Sequence, residues 1–245
     1  MSKIVNTEGE TFTIIGRCER TGMLGVCLAT SEIATGSRGP HVKARVGAVS
    51  TQAHTNPRLG KLAINLLEIG FSAPKVVEEV RNSDLFIEHR QIGVVDRDGN
   101  SAVYTGKDNS DWKGSIAKKN FIAMGNYLTN EKVVEEMARA FESSVDEYLD
   151  ERLMRAIEAG RDAGGQKNGQ QNTAALIVCD WDILPRVDLR VDWNDNDAIA
   201  ELRRLLEMYK PLIPFYSMRI KDPTIGGWRD WLAKQKTELS HKNIV

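Results

Sequence analysis

Apolar, β-rich segments alternate with polar turn signals along the first half of the chain, which predicts strands at its start. Residues 11–16 (TFTIIG) and 24–30 (LGVCLAT) read as a strand pair turned at Thr21-Gly22, and 46–52 (VGAVSTQ) as a third strand. Residues 31–45 carry Gly36, Gly39 and Pro40 among polar side chains, which predicts a loop long enough to line a site. The pattern then changes. Leu59, Leu62, Leu66 and Leu67 recur at helical spacing and Gly70 is placed to stop that helix. Ser72 is placed to cap a second helix over 73–81, with Pro74 in its first turn.

The pattern then repeats. Residues 91–96 and 102–105 read as a hairpin through Asp98-Gly99, and 121–124 as a short strand ending at Gly125-Asn126. Asn130 is placed to cap a helix carrying Val133, Val134, Met137 and Phe141 on one face. Val145, Leu149, Leu153, Met154 and Ile157 predict another, ended by Gly160, Gly164 and Gly165. Strands follow at 173–180 and 186–192, and Asp197 heads a helix over 198–208. Strands and helices therefore come in clusters, which favours antiparallel sheets with helices packed outside over a doubly wound parallel sheet. Past Lys210, three prolines (Pro211, Pro214, Pro223) interrupt a segment still rich in Phe215, Tyr216, Trp228, Trp231 and Leu232. That segment, 211–236, reads as an arm packed on its own domain or on a partner subunit, with 237–245 frayed.

Composition narrows the picture. The 245 residues suit one domain, and 33 Lys and Arg against 34 Asp and Glu leave a net charge of -1, so no field draws the chain to nucleic acid or anionic lipid. No apolar run is of membrane-spanning length, and residues 1–10 (MSKIVNTEGE) lack the apolar core of a signal peptide, so a cytoplasmic protein is expected. Cys18, Cys27 and Cys179 are widely spaced and read as reduced structural thiols. His41, His54, His89 and His241 show no metal-ligand spacing, and no metal or cofactor is expected. Asp192-x-Asn194-x-Asn196 imitates the start of a calcium loop, but Asp197 and Arg203 stand where glycine and a bidentate glutamate are needed. The glycines at 164, 165 and 169 follow a helix and precede a strand, the reverse of a phosphate-binding loop.

Seven short motifs recur in one order: residues 11–14 (TFTI), 47–52 (GAVSTQ), 90–96 (RQIGVVD), Thr105-Gly106, Gly125-Asn126-x-Leu128, 163–165 (AGG) and 189–192 (LRVD). Together they resemble the bacterial family known as domain of unknown function 1028, placed in the N-terminal-nucleophile (Ntn) hydrolase superfamily, over roughly 11–208. The resemblance implies an α+β fold, a four-layer αββα sandwich with two antiparallel sheets between helical layers. Together with the change of composition past Lys210, it divides the chain into an N-terminal extension (1–10), a sandwich domain (11–210) and a C-terminal arm (211–245). It also implies a nucleophile at the start of the first strand, where Thr11 stands.

A free α-amine, with a pKa of about 7.7–8.0, can take the hydroxyl proton of its own threonine, whereas an amide nitrogen cannot. Thr11 is thus competent only once residues 1–10 are removed. The Gly125 N–H, where glycine lets a backbone approach closely, and the neutral Asn126 amide are the candidate oxyanion donors. Ser31 and Gln52, at strand ends, are candidate substrate-binding residues together with Arg90, the candidate substitute for a lysine the family often carries where Glu32 stands. Gln166 and Asn168 stand where the family tends to show an acid and an arginine, and receive no catalytic role. The expected activity is hydrolysis of a non-peptide amide in a small polar substrate, with a homo-oligomer as the assembly. The alternatives are an inactive scaffold or binding protein that keeps its extension, and acyl transfer to an amine.

Overall fold

The computed structural model of the chain describes residues 10–242. It divides into two compact units, the first ending at Leu202 and the second beginning at Arg203. In the first unit one sheet contains β1 (Thr11–Arg17), β2 (Leu24–Thr30), β7 (Gly114–Lys118), β8 (Phe121–Asn126), β9 (Thr173–Cys179) and β10 (Val187–Val191), in the order β10-β9-β2-β1-β8-β7. The other contains β3 (Pro40–Lys43), β4 (Gly47–Ala53), β5 (Arg90–Asp96) and β6 (Ser101–Thr105), in chain order. Every pairing is antiparallel. Helices α1 (Pro57–Glu68) and α2 (Ala73–Ser83) cover the four-stranded sheet, and α3 (Lys132–Ser143) and α4 (Leu149–Asp162) cover the six-stranded one. The architecture is the αββα sandwich.

Strand alternation builds the layers. Val49, Ile92 and Val94 face α1 and α2, where they join Leu59, Ala63, Val76 and Val80. Their neighbours Ala48 and Val95 point the other way, into the space between the sheets, to meet Ile15, Val26, Ile122 and Met124. Gly93 faces the same space, and a Cβ there would lie 2.8 Å from Ile15 and 3.0 Å from Met124. Gly93→Val should therefore overpack the sandwich and cost about 1–3 kcal/mol, read from the urea midpoint at unchanged m. A loss below about 0.5 kcal/mol would show that the sheets can separate freely at this point.

Several boundaries differ from the pattern-based expectation. β3 lies within the predicted loop 31–45, and β7 was not predicted. Both are edge strands: β3 begins on a proline, tolerated only at such positions, and β7 carries no buried residue to mark it. Val145 is 53% exposed and precedes α4, and Gly160 lies inside that helix against Met137 and Phe12 instead of ending it. Ser72 makes no side-chain cap; the Ala73 N–H donates instead to Asp96 Oδ2 at 3.1 Å. Asp197 does cap α5 (Ala198–Tyr209), accepting from the N–H groups of Ile199 and Ala200.

In the second unit the arm is helical, with α6 (Ile213–Lys221) and α7 (Trp228–Lys242), so the chain continues as helix past Thr237. Phe215 is buried, with the rings of Tyr216 and Trp231 packed on it. Trp231 also donates its indole N–H to the Pro211 carbonyl.

Candidate active site

β1 runs between β2 and β8, and Thr11 is its first residue. Thr11 is in register with Asn126 on one side and Thr30 on the other, and Thr30 is in register with Thr173. Thr13 and Ile15 face the opposite sheet, so the two-residue period turns Thr11 there as well. Asn126, Thr11, Thr30 and Thr173 form a polar row across the end of the six-stranded sheet, each at most 2% exposed. Gln52, Gln91 and Thr105 are in register in the four-stranded sheet, making a second row.

Buried polar groups need partners, and these two rows supply them to each other. Thr13 Oγ1 donates to Gln52 Oε1 at 2.5 Å. Gln52 Nε2 donates to the Thr11 carbonyl at 3.2 Å and to Gln91 Oε1 at 2.7 Å. Gln91 Oε1 also accepts from Asn126 Nδ2 at 3.2 Å, and Gln91 Nε2 reaches Thr105 Oγ1 (2.9 Å) and the carbonyls of Gly125 (3.0 Å) and Gly114 (3.2 Å). This amide chain stitches the two sheets together beneath Thr11. The backbone turns left-handed immediately beyond it, at Ala53 (φ 66°) after Gln52 and Tyr127 (φ 53°) after Asn126. Such a conformation costs a non-glycine residue about 1–2 kcal/mol.

Hydroxyl groups occupy the space above. Thr11 Oγ1 donates to Thr30 Oγ1 at 3.3 Å, and Thr30 Oγ1 donates in turn to the carbonyl of Glu10, the residue bonded to the Thr11 nitrogen. The Glu32 N–H also donates to Thr30 Oγ1, at 3.2 Å, which fixes the direction of the Thr30 proton towards that carbonyl. Glu10 is itself 3% exposed. Its Oε2 accepts from Ser31 Oγ at 3.1 Å and from Asn168 Nδ2.

The structure thus brings together Thr11, Asn126, Gly125, Gln52 and, through Glu10, Ser31. It does not bring Arg90 to them. Arg90 is one residue out of phase with Gln91, so it faces the helical side, where Nε pairs with Asp84 Oδ2 at 3.0 Å and Nη1 donates to the His54 carbonyl. Glu32 pairs with Arg38 at 3.1 Å. Thr30 and Gln91 are the site residues that sequence reasoning missed, and Asn168 it left without a catalytic role. The signal for Thr30 was the hairpin itself, whose register sets the last residue of β2 against the first of β1. Asn168 lies in a loop whose Gly165 carbonyl accepts from Thr129 N–H, and whose Lys167 N–H donates to Tyr127, both at 3.1 Å.

Other nucleophiles are placed elsewhere. Burial, with Asp188 nearby, pushes the Cys179 thiol up to about 11, and it stays protonated near neutral pH. Burial also raises Cys18, but hydrogen bonds from Thr21 and Arg20 and the Arg152 charge bring it below its ordinary value. Cys18 lines a cleft of about 620 Å³ near Arg17, the far end of β1. A second cleft, about 530 Å³, lies along His41, Lys61 and Cys179. Neither is lined by Thr11. Among the described residues no group of three or more His, Cys, Asp or Glu side chains is disposed to hold a metal, and no helix is long and apolar enough to cross a membrane.

A two-sheet sandwich with a threonine opening its central strand is the arrangement that the seven motifs implied. The chain belongs to the family of unknown function DUF1028, which it matches over residues 11–202. It is similar to the crystal structure of protein SPO2555 from Silicibacter pomeroyi, described with the same family, at 29% identity and a TM-score of 0.76, covering 91% of this chain and 93% of that one. More distant matches are HslV from Trypanosoma brucei (10% identity, TM-score 0.43, 68% of this chain and 98% of that one) and Anbu, an ancestral beta-subunit, from Yersinia bercovieri (10%, 0.38, 88% and 98%). Comparison with curated proteins gives no match.

Proposed function

We propose that this chain is an Ntn-type hydrolase that cleaves a non-peptide amide bond of a small polar substrate, with Thr11 as nucleophile once residues 1–10 are removed. The observation that carries this reading is the hydroxyl relay at the Glu10–Thr11 bond. Thr11 Oγ1 is hydrogen-bonded to Thr30, and Thr30 directs its own proton at the Glu10 carbonyl. A carbonyl that accepts a hydrogen bond is a better electrophile, and the threonine beside it is the attacking group.

With a free α-amine, the steps follow from general chemistry. The amine takes the Thr11 Oγ proton as Oγ attacks the acyl carbon. Negative charge on the carbonyl oxygen is met by the Gly125 N–H and the second N–H of the Asn126 amide. Such donors are worth about 2.7–4 kcal/mol each in comparable enzymes. The leaving nitrogen departs with a proton, and water hydrolyses the ester left on Thr11. The buried Gln52–Gln91 chain holds Asn126 in place, so it acts as positioning machinery.

The test begins with the intact mass of purified protein. Loss of residues 1–10 is expected, and a chain made to start at Thr11 should turn over amides, ureas or cyclic imides that an unprocessed full-length sample leaves intact. Equal turnover by protein shown to keep residues 1–10 would remove Thr11 as the nucleophile. One observation favours the second reading, a binding or scaffold protein: Thr11 is 2% exposed with Glu10 in place, so the uncleaved chain offers no open site at its nucleophile.

The assembly proposed is a homo-oligomer. Trp228 is 43% exposed, and Met218 and Ile220 in α6 are exposed as well. Exposed apolar groups of this kind commonly mark contacts. A chain ending at Lys210 is expected to have a smaller solution assembly than the full-length protein by light scattering. An unchanged assembly would defeat the assignment of the interface to the arm.

A further inference from the structure

We infer that the pocket holding the Glu10 side chain is the acyl-group subsite, and that the substrates are amides whose acyl part ends in a carboxylate, the five-carbon glutaryl or glutamyl class. This rests on the reading of Thr11 as nucleophile. If Thr11 Oγ cleaves the Glu10–Thr11 bond, the O–C bond forms, the C–N bond breaks, and the freed α-amine takes the Oγ proton. The product is a glutamyl ester on Thr11. Turnover of any amide passes through an acyl ester on the same oxygen, which water then splits, returning a proton to Oγ. Groups that hold the Glu10 side chain are therefore placed to hold the far end of a substrate acyl group.

Those groups suit a carboxylate. Glu10 Oε2 accepts from Ser31, which directly follows β2, and from Asn168, in the loop after α4. Two donors from separate loops converge on one buried carboxylate oxygen. Gln166, two residues before Asn168, is fully buried, and neither its Oε1 nor its Nε2 has a hydrogen-bond partner among the described residues. A buried amide without partners is costly, and a polar ligand that reached it would supply them. A neutral acyl chain would leave the Ser31 and Asn168 donors without their acceptor, which is the stronger form of selectivity.

Every strand and helix of the sandwich lies at or after Thr11, so a chain starting there keeps the whole domain. With that protein, the hydrolysis of N-glutaryl-4-nitroanilide and N-butanoyl-4-nitroanilide is compared, and glutarate and butyrate binding are measured by calorimetry. The glutaryl amide and glutarate should be preferred by about 10- to 100-fold, the range for a hydrogen bond to a charged group. In Ser31→Ala and Asn168→Ala the ratio should fall by about tenfold or more. Hydrolysis of both amides at equal rates would overturn the subsite and leave the nucleophile standing. Selective glutarate binding without any hydrolysis would keep the subsite and remove the hydrolase reading. If either variant fails to fold, the glutarate-to-butyrate ratio of the unsubstituted protein decides, and a ratio near one overturns the inference.

Discussion

Thr11→Ala should abolish amide hydrolysis, with a loss of at least about 10³-fold, because it removes the oxygen on which the acyl intermediate forms. The same substitution should leave residues 1–10 attached, since the oxygen that would attack the Glu10 carbonyl is gone. Intact mass and turnover, measured on one preparation, report the two effects separately. Stability should change little, by about 1 kcal/mol, because the hydroxyl makes a single side-chain hydrogen bond, to Thr30. Thr11→Ser keeps the oxygen and should keep part of both activities. Full turnover by Thr11→Ala with an undisturbed melting curve would sink the nucleophile assignment and leave the fold untouched.

The largest effect on stability is expected from Gln91→Leu. Gln91 accepts from Gln52 and Asn126 and shares its two amide hydrogens among Thr105, Gly125 and Gly114, and its bonds to Asn126, Gly125 and Gly114 cross from one sheet to the other. Leucine fills a similar volume and satisfies none of them. Gln52 Nε2 keeps its bond to the Thr11 carbonyl, but Asn126 and Thr105 lose the partners described here. At about 1–3 kcal/mol for each buried group left without a partner, the total should be about 3–5 kcal/mol. Urea denaturation at unchanged m would measure it. A loss under about 1 kcal/mol would mean that water or a rearranged Gln52 replaces the lost bonds, and the amide chain would then not be what holds the sheets in register here.

The substitutions differ because the site has two tiers. The hydroxyl tier, Thr11 and Thr30, makes three hydrogen bonds and, in the proposed function, carries the chemistry. The amide tier, Gln52, Gln91 and Asn126, lies between the sheets and carries the geometry. Thr13 and Ile15 show where the tiers end: Thr13 still reaches Gln52, while Ile15 already belongs to the apolar core with Val26 and Met124.

The one-dimensional pattern settled much of this protein. β-rich runs bounded by turn signals located the strands that carry Thr11 and both buried glutamines, and the clustering of strands and helices indicated antiparallel sheets flanked by helices. Thr11 itself was legible because it opens the first strand and because seven motifs in order matched one family, whose span also begins at residue 11. The edge strands β3 and β7 were not legible, because an edge strand needs neither a continuous apolar run nor an N–H at every position. Arg90 was misplaced for a related reason. Its charge suggested a role beside the nucleophile, but strand phase turns it towards Asp84 while Gln91 faces the site.

What the tertiary structure alone decided is which polar residues meet. Thr11 and Gln52 are separated by 41 positions, Gln91 and Asn126 by 35, and Glu10 and Asn168 by 158. Local periodicity reports which residues share a face of an element, because side-chain direction repeats with a fixed period along the chain. It carries no information about the partner across the gap, since that depends on the order of strands and their register. The pairing of β1 with β8, and the stacking of β4 and β5 over them, place three amides and two hydroxyls at one end of the sandwich. Strand pairing sets the Thr11 hydroxyl against Thr30, which reaches the Glu10 carbonyl, and the stacked sheet buries it.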